Sequence, residues 1–214
     1  MILDLHLLCT AHNFNRRTLE KLKNEDWIGI DYGAVMLVQA GIRPIAAFGD
    51  FDSLTDDELS TLQAELDIDV LPSEKNETDL EVGIQYTLTL DYDRVFIHGA
   101  TGGRMDHFLG NLQTLLNKEV MLSASEFFMV DDVNVIQVLP TGTHIIQRYQ
   151  DMTYISFIPV EAGVFLTIED LKYTLPRTQL KMGTTRTVSN EFVTDRAQVI
   201  VENGMVYMIQ SKDA

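Results

Sequence analysis

The chain has 214 residues, 45% of them apolar and 22% charged, so it can build the core of one large domain or two modest ones. Its formal net charge of -16 argues against a nucleic acid or an anionic membrane as a partner. A phosphate ligand remains compatible with this charge if a metal ion supplies positive charge locally. The single cysteine, Cys9, excludes an internal disulfide framework and suits the reducing cytoplasm. No apolar window approaches the length of a membrane span.

The first half of the chain alternates predicted strands with predicted helices. Apolar runs predict strands at residues 2–9, 27–30, 45–48, 68–71 and 94–98. Helices are predicted at residues 17–25, 32–40, 55–66, 79–90 and 108–117. This alternation predicts an α/β domain with a mostly parallel sheet and helices on both faces. Ligands bind such sheets beyond the carboxyl ends of the strands.

Residues with distinctive chemistry follow these predicted strands. Asp31 follows the second strand, the sequence G-D-F-D-S at 49–53 follows the third, and a glycine-rich segment at 99–103 follows the fifth. Thr78 and Glu81 match a capping box, which leaves Asp79 exposed in the first turn of the helix 79–90. We therefore expect four strand-end loops to converge on one cleft.

Three aspartates are candidate metal ligands. Asp50 and Asp52 stand two residues apart just past a buried strand, where like charges repel each other. Mg²⁺ removes that cost and prefers oxygen ligands, and with Asp79 the pair could hold one or two Mg²⁺ ions against a polyphosphate. The alternatives are an Asp-rich turn that bonds its own backbone and, for Asp79, an acid that interacts with the helix dipole.

The segment 99–107 is a candidate phosphate site. Its glycines allow close approach of a ligand to the backbone N–H groups, and Arg104 adds a permanent charge suited to phosphate. The alternatives are a plain turn with a solvated Arg104, Asp106 as the cap of the next helix, and Asp31 as the cap of the helix 32–40. The candidate residues for the nucleotide are Asp31, Lys75, Thr78, Gly99, Gly102, Gly103, Arg104 and Asp106.

After about residue 120 the pattern changes to short runs rich in Val, Ile, Phe, Tyr and Thr, which predicts an antiparallel sandwich or barrel. The predicted strands are 127–130, 133–139, 143–149, 152–158, 164–168, 171–175, 185–189, 196–201 and 205–210. We place the boundary near residue 122, with an α/β nucleotide-binding domain at 1–122 and a β-sandwich domain at 123–214. The polar trio Ser189, Asn190 and Glu191 suits a small polar heterocycle or a hairpin turn.

Five motifs occur in order along nearly the whole chain: G-D-F-D-S (49–53), K-N-E-T-D-L-E (75–81), G-A-T-G-G-R-M-D-H (99–107), L-K-Y-x-L (171–175) and S-N-E (189–191). This set resembles the thiamine pyrophosphokinase family. The family pairs a nucleotide-binding α/β domain with a C-terminal β-sandwich and acts as a homodimer. The resemblance implies transfer of a pyrophosphoryl group from ATP to the hydroxyl of thiamine, with release of AMP.

The resemblance also implies roles for individual residues. It implies Mg²⁺ ligation by Asp50, Asp52 and Asp79. Apart from the resemblance, Lys75 lies in the loop before Thr78 and could neutralise phosphate charge together with Arg104; the alternative is a solvated lysine. Asp31 resembles the acid of the family's D-G-G-A segment, on the ATP and thiamine side of the cleft. Ser189 and Asn190 resemble thiamine-site residues near the dimer interface.

Two positions depart from the family pattern. Tyr32 stands where a small residue is usual, so the space beside Asp31 can differ, and Asn76 stands where an Asp is common. Two other functions remain open. Asp50-Phe51-Asp52 also matches the nucleophile motif of haloacid-dehalogenase-type phosphatases, although Leu54 stands where that family has Thr or Val. The other alternative is a non-catalytic nucleotide-sensing module.

Overall fold

The computed structural model describes residues 2–9, 14–51, 54–65, 69–70 and 76–213. The chain forms two compact units, Met1–Asp132 and Val133–Ala214. Two of the predicted site residues, Asp52 and Lys75, lie outside the described residues. Among the helices of the described ranges, none has the length and apolar character needed to cross a membrane.

A parallel sheet forms the centre of the first unit. In its described residues the strands are β1 (Asp4–Leu8), β2 (Asp26–Ile30), β3 (Ala46–Gly49), β4 (Asp69–Val70), β5 (Arg94–His98) and β6 (Glu126–Val130). Their order in the sheet is β6-β5-β1-β2-β3-β4, and every neighbouring pair is parallel. The chain order reverses between β1 and β5, and such a switch point opens a crevice at the carboxyl ends of the strands.

Helices cover both faces of this sheet. They are α1 (Arg17–Lys21), α2 (Tyr32–Gln39), α3 (Asp56–Glu65), α4 (Asp79–Thr87), α5 (Met105–Thr114) and α6 (Lys118–Leu122). A methyl group on Gly29 would lie 2.4 Å from Cα of Ala34 in α2, and one on Gly83 of α4 would lie 2.4 Å from Cδ1 of Ile30. Consecutive strand residues point to opposite faces, so α2 and α4 lie on opposite sides of β2. The predicted α/β architecture is confirmed.

Several element bounds differ from the prediction. The helix predicted at 17–25 ends at Lys21, and the carbonyl of Leu22 accepts a 3.0 Å hydrogen bond from the indole N–H of Trp27. The helix predicted at 108–117 begins three residues earlier, at Met105, and ends at Thr114. The strand at residues 126–130, predicted as part of the β-rich half, pairs in parallel with β5 and lies in the first unit.

The second unit is a β-sandwich. Its strands are β7 (Asn134–Leu139), β8 (Gly142–Gln147), β9 (Tyr154–Pro159), β10 (Phe165–Glu169), β11 (Leu175–Gln179), β12 (Asn190–Glu191), β13 (Arg196–Glu202) and β14 (Val206–Ser211). They form the antiparallel groups β12-β9-β14-β7 and β11-β10-β13-β8. Side chains from both groups, including Phe157 and Val199, are fully buried in one core. The predicted sandwich is confirmed.

Two strands of this unit begin later in the chain than predicted. Residues 171–174 make only an isolated bridge, between Leu171 and Phe192, and the strand begins at Leu175. Residues 185–189 form a turn in which the amide of Val188 bonds the carbonyl of Thr185, and the strand β12 begins at Asn190. A β-rich composition favours strands at both places, but it carries no information about which backbone groups find a partner.

Candidate active site

A cleft of about 900 Å³ lies beyond the carboxyl ends of the first unit's strands. This volume lies within the range of small-molecule sites. The cleft is beside the switch point between β1 and β5, where the fold predicts a ligand. Its lining includes Cys9, Asp31, residues 78–81, residues 99–104, Asp106 and one face of α5. Of the four strand-end segments predicted to converge, those that contain Asp31, Asp79 and residues 99–103 contribute to it, whereas Asp50 is not part of this lining.

Asp31 is held at the rim of the cleft in an unusual backbone conformation. Its φ of 49° and ψ of -127° lie outside the common regions, and such strain is often stored at functional sites. Its N–H donates to the carbonyl of Phe48 at 2.8 Å. A methyl group on Gly33 would lie 1.9 Å from the carbonyl oxygen of Leu8, so only glycine lets α2 begin this close to β1. The backbone thus fixes Asp31 between the ends of β1, β2 and β3.

Tyr32, which departs from the family pattern, packs away from the cleft. Its ring contacts the hydrophobic cluster that contains Leu8, Trp27 and Met36. It is not among the residues that line the cleft. The larger side chain therefore packs against this cluster and does not form part of the cleft wall.

The G-D-F-D-S segment brings a second carboxylate next to Asp31. A methyl group on Gly49 would lie 2.5 Å from Oδ1 of Asp31, so the glycine lets this carboxylate approach the backbone just before Asp50. Phe51 has a φ of 54° and is 4% exposed, packed with Ala34 and other residues of one cluster. The buried ring anchors the turn and leaves Asp50 half-buried at the end of β3.

Asp79 reaches the cleft from the start of α4. The Thr78 side chain accepts a 3.2 Å hydrogen bond from the N–H of Glu81, so Thr78 is the N-cap, as the capping box predicts. Thr78 and Asp79 both line the cleft that contains Asp31. The helix start therefore brings a carboxylate from a different loop to the same cavity.

The carboxylates present suit a Mg²⁺ ion chemically. Asp50 and Asp79 offer the hard oxygen donors that Mg²⁺ prefers. Among the residues with described side chains, no three acidic, histidine or cysteine groups are close enough to form a metal site. Asp52, which completes the predicted set, lies outside those residues. Ligation of Mg²⁺ by Asp50, Asp52 and Asp79 stays a prediction.

The glycine-rich segment adopts a conformation that other residues would resist. Gly99, Gly102 and Gly103 have φ values of 68°, 76° and 63°, in the left-handed region that favours glycine. The segment directly follows β5 and lines the cleft. It can therefore bring backbone N–H groups close to an anionic ligand.

Two side chains from outside the segment hold it, and sequence analysis did not identify either. Nδ2 of Asn111 in α5 donates to the carbonyl of Ala100 at 2.9 Å. Oγ1 of Thr101 donates to Oδ2 of Asp131 at 2.6 Å. The only sequence signal for Asn111 is its spacing of four residues from His107, which places both on one face of α5.

Arg104 and Asp106 form a bidentate ion pair. The Nε–Oδ1 distance is 3.1 Å and the Nη2–Oδ2 distance is 2.5 Å, and both side chains are exposed. The pair raises the pKa of Arg104 and lowers the pKa of Asp106 to about 2, mainly through the side-chain hydrogen bond. Arg104 occupies the N-cap position of α5, while Asp106 lies in the first turn and accepts from the N–H of His107. A phosphate would therefore compete with Asp106 for the guanidinium group.

Asn190 in the second unit makes three hydrogen bonds within the protein. Its Oδ1 accepts from the N–H groups of Tyr173 and Glu191 at 3.0 and 2.9 Å, and its Nδ2 donates to the carbonyl of Tyr173 at 2.7 Å. The side chain is 5% exposed. Its polar atoms thus hold the backbone of Tyr173, a role that sequence analysis did not identify.

Tyr173 and Ser189 are exposed next to this buried amide. The Tyr173 side chain is 59% exposed, and Nζ of Lys172 lies 5.5 Å from the centre of its ring. Ser189 has a φ of 58°, and its N–H donates to Oγ of Ser156 at 2.9 Å. An exposed aromatic ring on a fixed backbone offers a flat face to a heterocycle. Tyr173 belongs to the motif L-K-Y-x-L at 171–175, but the sequence analysis assigned no role to it.

Comparison with known proteins supports the same two-part organisation. The family model described as "Thiamin pyrophosphokinase, catalytic domain" matches residues 19–124. The one described as "Thiamin pyrophosphokinase, vitamin B1 binding domain" matches residues 143–206. A thiamine pyrophosphokinase of Bacillus subtilis strain 168 is 40% identical over 189 residues, which cover 87% of each chain. The matched residues extend over both compact units.

Solved structures agree with the sequence matches. A crystal structure of thiamine pyrophosphokinase from Bacillus subtilis has a TM-score of 0.87 at 34% identity, covering 99% of this chain and 100% of the other. One from Geobacillus thermodenitrificans has a TM-score of 0.84 at 32% identity, covering 100% and 99%. These matches give no support to the phosphatase or the nucleotide-sensing alternative. With both domain descriptions matched in order and a relative at 40% identity, this chain belongs to the thiamine pyrophosphokinase family.

Proposed function

We propose that this protein transfers the pyrophosphoryl group of ATP to the hydroxyl of thiamine, giving thiamine diphosphate and AMP. The observation that carries the proposal is the cleft at the switch point of the sheet. It combines a glycine-rich segment suited to phosphate with carboxylates from separate loops, in a chain that matches both domains of the family. ATP would occupy this cleft, and the second unit would supply residues that bind thiamine.

In the reaction, the hydroxyl oxygen of thiamine attacks the β-phosphorus of ATP in line with the leaving AMP. A new O–P bond forms at the β-phosphorus, and the bond from the β-phosphorus to the oxygen that bridges it to the α-phosphorus breaks. The hydroxyl proton passes to an ionised carboxylate at the cleft. No covalent enzyme intermediate is required, since positioning and charge neutralisation supply most of the catalysis in phosphoryl transfer.

Each group of the cleft has a proposed task. Backbone N–H groups of residues 99–103 bind phosphate oxygens, and Arg104 with Lys75 offsets their negative charge. Asp31 accepts a hydrogen bond from the ribose or positions the ligand. When bound by Asp50, Asp52 and Asp79, Mg²⁺ would neutralise charge on the polyphosphate. Thr78 fixes the start of α4 and so the position of Asp79.

The thiamine site is proposed for the second unit. The Tyr173 ring offers its face to a heterocycle, the Ser189 hydroxyl offers a donor and acceptor, and Asn190 holds the backbone of Tyr173. Aromatic side chains bind flat and cationic ligands through their faces. This division assigns the phosphate chemistry to the first unit and recognition of the acceptor to the second.

We also propose that the enzyme is a homodimer with the thiamine site near the subunit interface, and that it works in the cytoplasm. The family resemblance supports the dimer, and the single, buried Cys9 suits a reducing compartment. Sedimentation across a dilution series, with activity measured at each concentration, tests the dimer. Activity per subunit should fall as the dimer dissociates, and a monomer with full specific activity would contradict the shared site.

The direct test of the reaction is incubation of the protein with ATP, Mg²⁺ and thiamine, followed by separation of the products. AMP and thiamine diphosphate should appear in equal amounts, because one transfer produces one of each. Release of inorganic phosphate without AMP would contradict the proposal, and so would a lack of turnover with all three components present.

A further inference from the structure

The glycine-rich segment 99–103 needs support from outside to keep one shape. Three of its five residues are glycines, which have more backbone freedom to lose than any other residue. A loop that binds an anion through N–H groups binds best when those groups are held in place before the ligand arrives. The contacts that fix the segment therefore bear directly on the proposed phosphate site.

Thr101 carries the only polar side chain of this segment, and it is turned inward. It is 5% exposed, and its Oγ1 donates to Oδ2 of Asp131 at 2.6 Å. A hydrogen bond of this length to a carboxylate belongs to the strong, charge-assisted class. Asp131 comes directly after β6, the neighbour of β5 in the sheet. The end of one strand thus holds the loop that follows the adjacent strand.

The hydrogen bond between Thr101 and Asp131 lies at the middle of the glycine-rich segment. Thr101 lies between Ala100, whose carbonyl accepts from Asn111, and Gly102, which has a φ of 76°. The segment is therefore held at Ala100 and at Thr101, just before its two consecutive left-handed glycines. A carboxylate near a polyphosphate site is electrostatically unfavourable, because like charges repel. Asp131 is not among the residues that line the cleft, so its contact through Thr101 bears on the loop.

We propose that Asp131 is a positioning residue for ATP, which acts through the Thr101 hydroxyl to hold the glycine-rich segment in its phosphate-binding shape. Asp131 does not need to touch the nucleotide. The inference rests on the proposed function, since it assumes that the cleft binds ATP. It adds a residue that directly follows β6 and lies outside all five motifs.

The test compares variants at the two ends of this hydrogen bond. Thr101→Val removes the hydroxyl at nearly constant volume, Thr101→Ser retains it, and Asp131→Ala removes the acceptor while Asp131→Asn keeps one. Thr87→Val is the matched control, because Thr87 is 2% exposed and its Oγ1 donates to the carbonyl of Ile84 at 2.7 Å, at the end of α4. The Kd for ATP with Mg²⁺ is measured by titration calorimetry, and KM for both substrates by product formation.

Thr101→Val and Asp131→Ala should each raise the Kd and KM for ATP about tenfold, as loss of one strong hydrogen bond does, with the KM for thiamine almost unchanged. Thr101→Ser should bind like the wild type, and Asp131→Asn should lie between wild type and Asp131→Ala. The double variant should be no weaker than either single one, because both act through the same contact. Thr87→Val should lose stability without any change in ATP binding.

The outcomes separate this inference from the proposed reaction. Wild-type turnover with unchanged ATP binding in the Thr101→Val and Asp131→Ala variants would overturn the positioning role and leave the reaction intact. Additive losses in the double variant, or equal effects on ATP and thiamine, would also overturn it. If the wild type binds ATP and the variants bind it about tenfold more weakly, but no thiamine diphosphate forms, the positioning role stands and the reaction fails. A wild type that does not bind ATP would overturn both.

Discussion

Replacement of Asn190 by alanine tests the thiamine site that we propose for the second unit. The change removes three hydrogen bonds, two to the backbone of Tyr173 and one to that of Glu191. At about 1 kcal/mol for each bond, the free energy of unfolding should fall by about 3 kcal/mol. Because Asn190 is only 5% exposed, water cannot readily replace the lost partners.

The same substitution should act on one substrate only. Without the amide, the backbone of Tyr173 loses its support and the exposed ring loses its fixed position. The KM for thiamine should rise about tenfold or more, while the KM for ATP should stay within about twofold of wild type. Tyr173→Ala is the matched comparison, because it removes the ring and leaves the Asn190 hydrogen bonds to the backbone in place. It should raise the KM for thiamine with little loss of stability, since the ring is 59% exposed.

Urea unfolding followed by circular dichroism measures the stability of both units. The only tryptophan, Trp27, lies in β2, so its fluorescence reports separately on the first unit. A raised KM for thiamine with no loss of stability in Asn190→Ala would show that Asn190 contacts the ligand and does not act by holding Tyr173. Equal changes in the KM of both substrates would refute the assignment of thiamine binding to the second unit.

Three further predictions concern the first unit. Asp50→Asn should abolish measurable turnover and leave the circular dichroism spectrum unchanged, and near-normal activity at saturating Mg²⁺ would remove Asp50 from the metal site. Phe51→Ala should lower the free energy of unfolding by about 3–5 kcal/mol, because it empties a buried position, and unchanged thermal unfolding would contradict its role as an anchor. Burial lowers the pKa of His6 to about 4 and of His98 to about 3, so between these values and 6.5 the unfolded chain binds more protons and stability falls as pH falls. The loss is up to about 1.4 kcal/mol per pH unit for each histidine, and a His6→Leu variant with an equally steep loss would contradict it.

The sequence predicts the parallel sheet well because buried parallel strands produce apolar runs of recognisable length. It does not predict where the sheet ends. Residues 126–130 have the composition of their neighbours in the sandwich, and only the parallel pairing with β5 places them in the first unit. Composition is a local property, whereas the choice of strand partner depends on residues about 30 positions away, from Arg94 to Glu126.

In the candidate site too, some features were predictable from the sequence and others were not. Asp31, Asp79 and the glycine-rich segment were predicted to share a cleft because a topological rule brings the carboxyl ends of parallel strands to one edge. The partners that hold these groups were not predicted. The bond from Thr101 to Asp131 spans 30 positions and those from Asn190 to Tyr173 span 17, and neither leaves a repeating pattern in the sequence.

The geometry around Asp31 shows how close packing holds one part of the cleft in place. A methyl group on Gly33 would collide with the carbonyl oxygen of Leu8, and one on Gly49 with the carboxylate of Asp31. The strained backbone of Asp31 is thus held by close packing of three strand ends, which cannot relax without separating the strands. Residues 99–103 contain left-handed glycines, and hydrogen bonds with Asn111 and Asp131 of other elements hold this segment. Substitutions that weaken ATP binding without unfolding the protein should therefore concentrate on the partners of the glycine-rich segment, while those near Asp31 should cost stability as well.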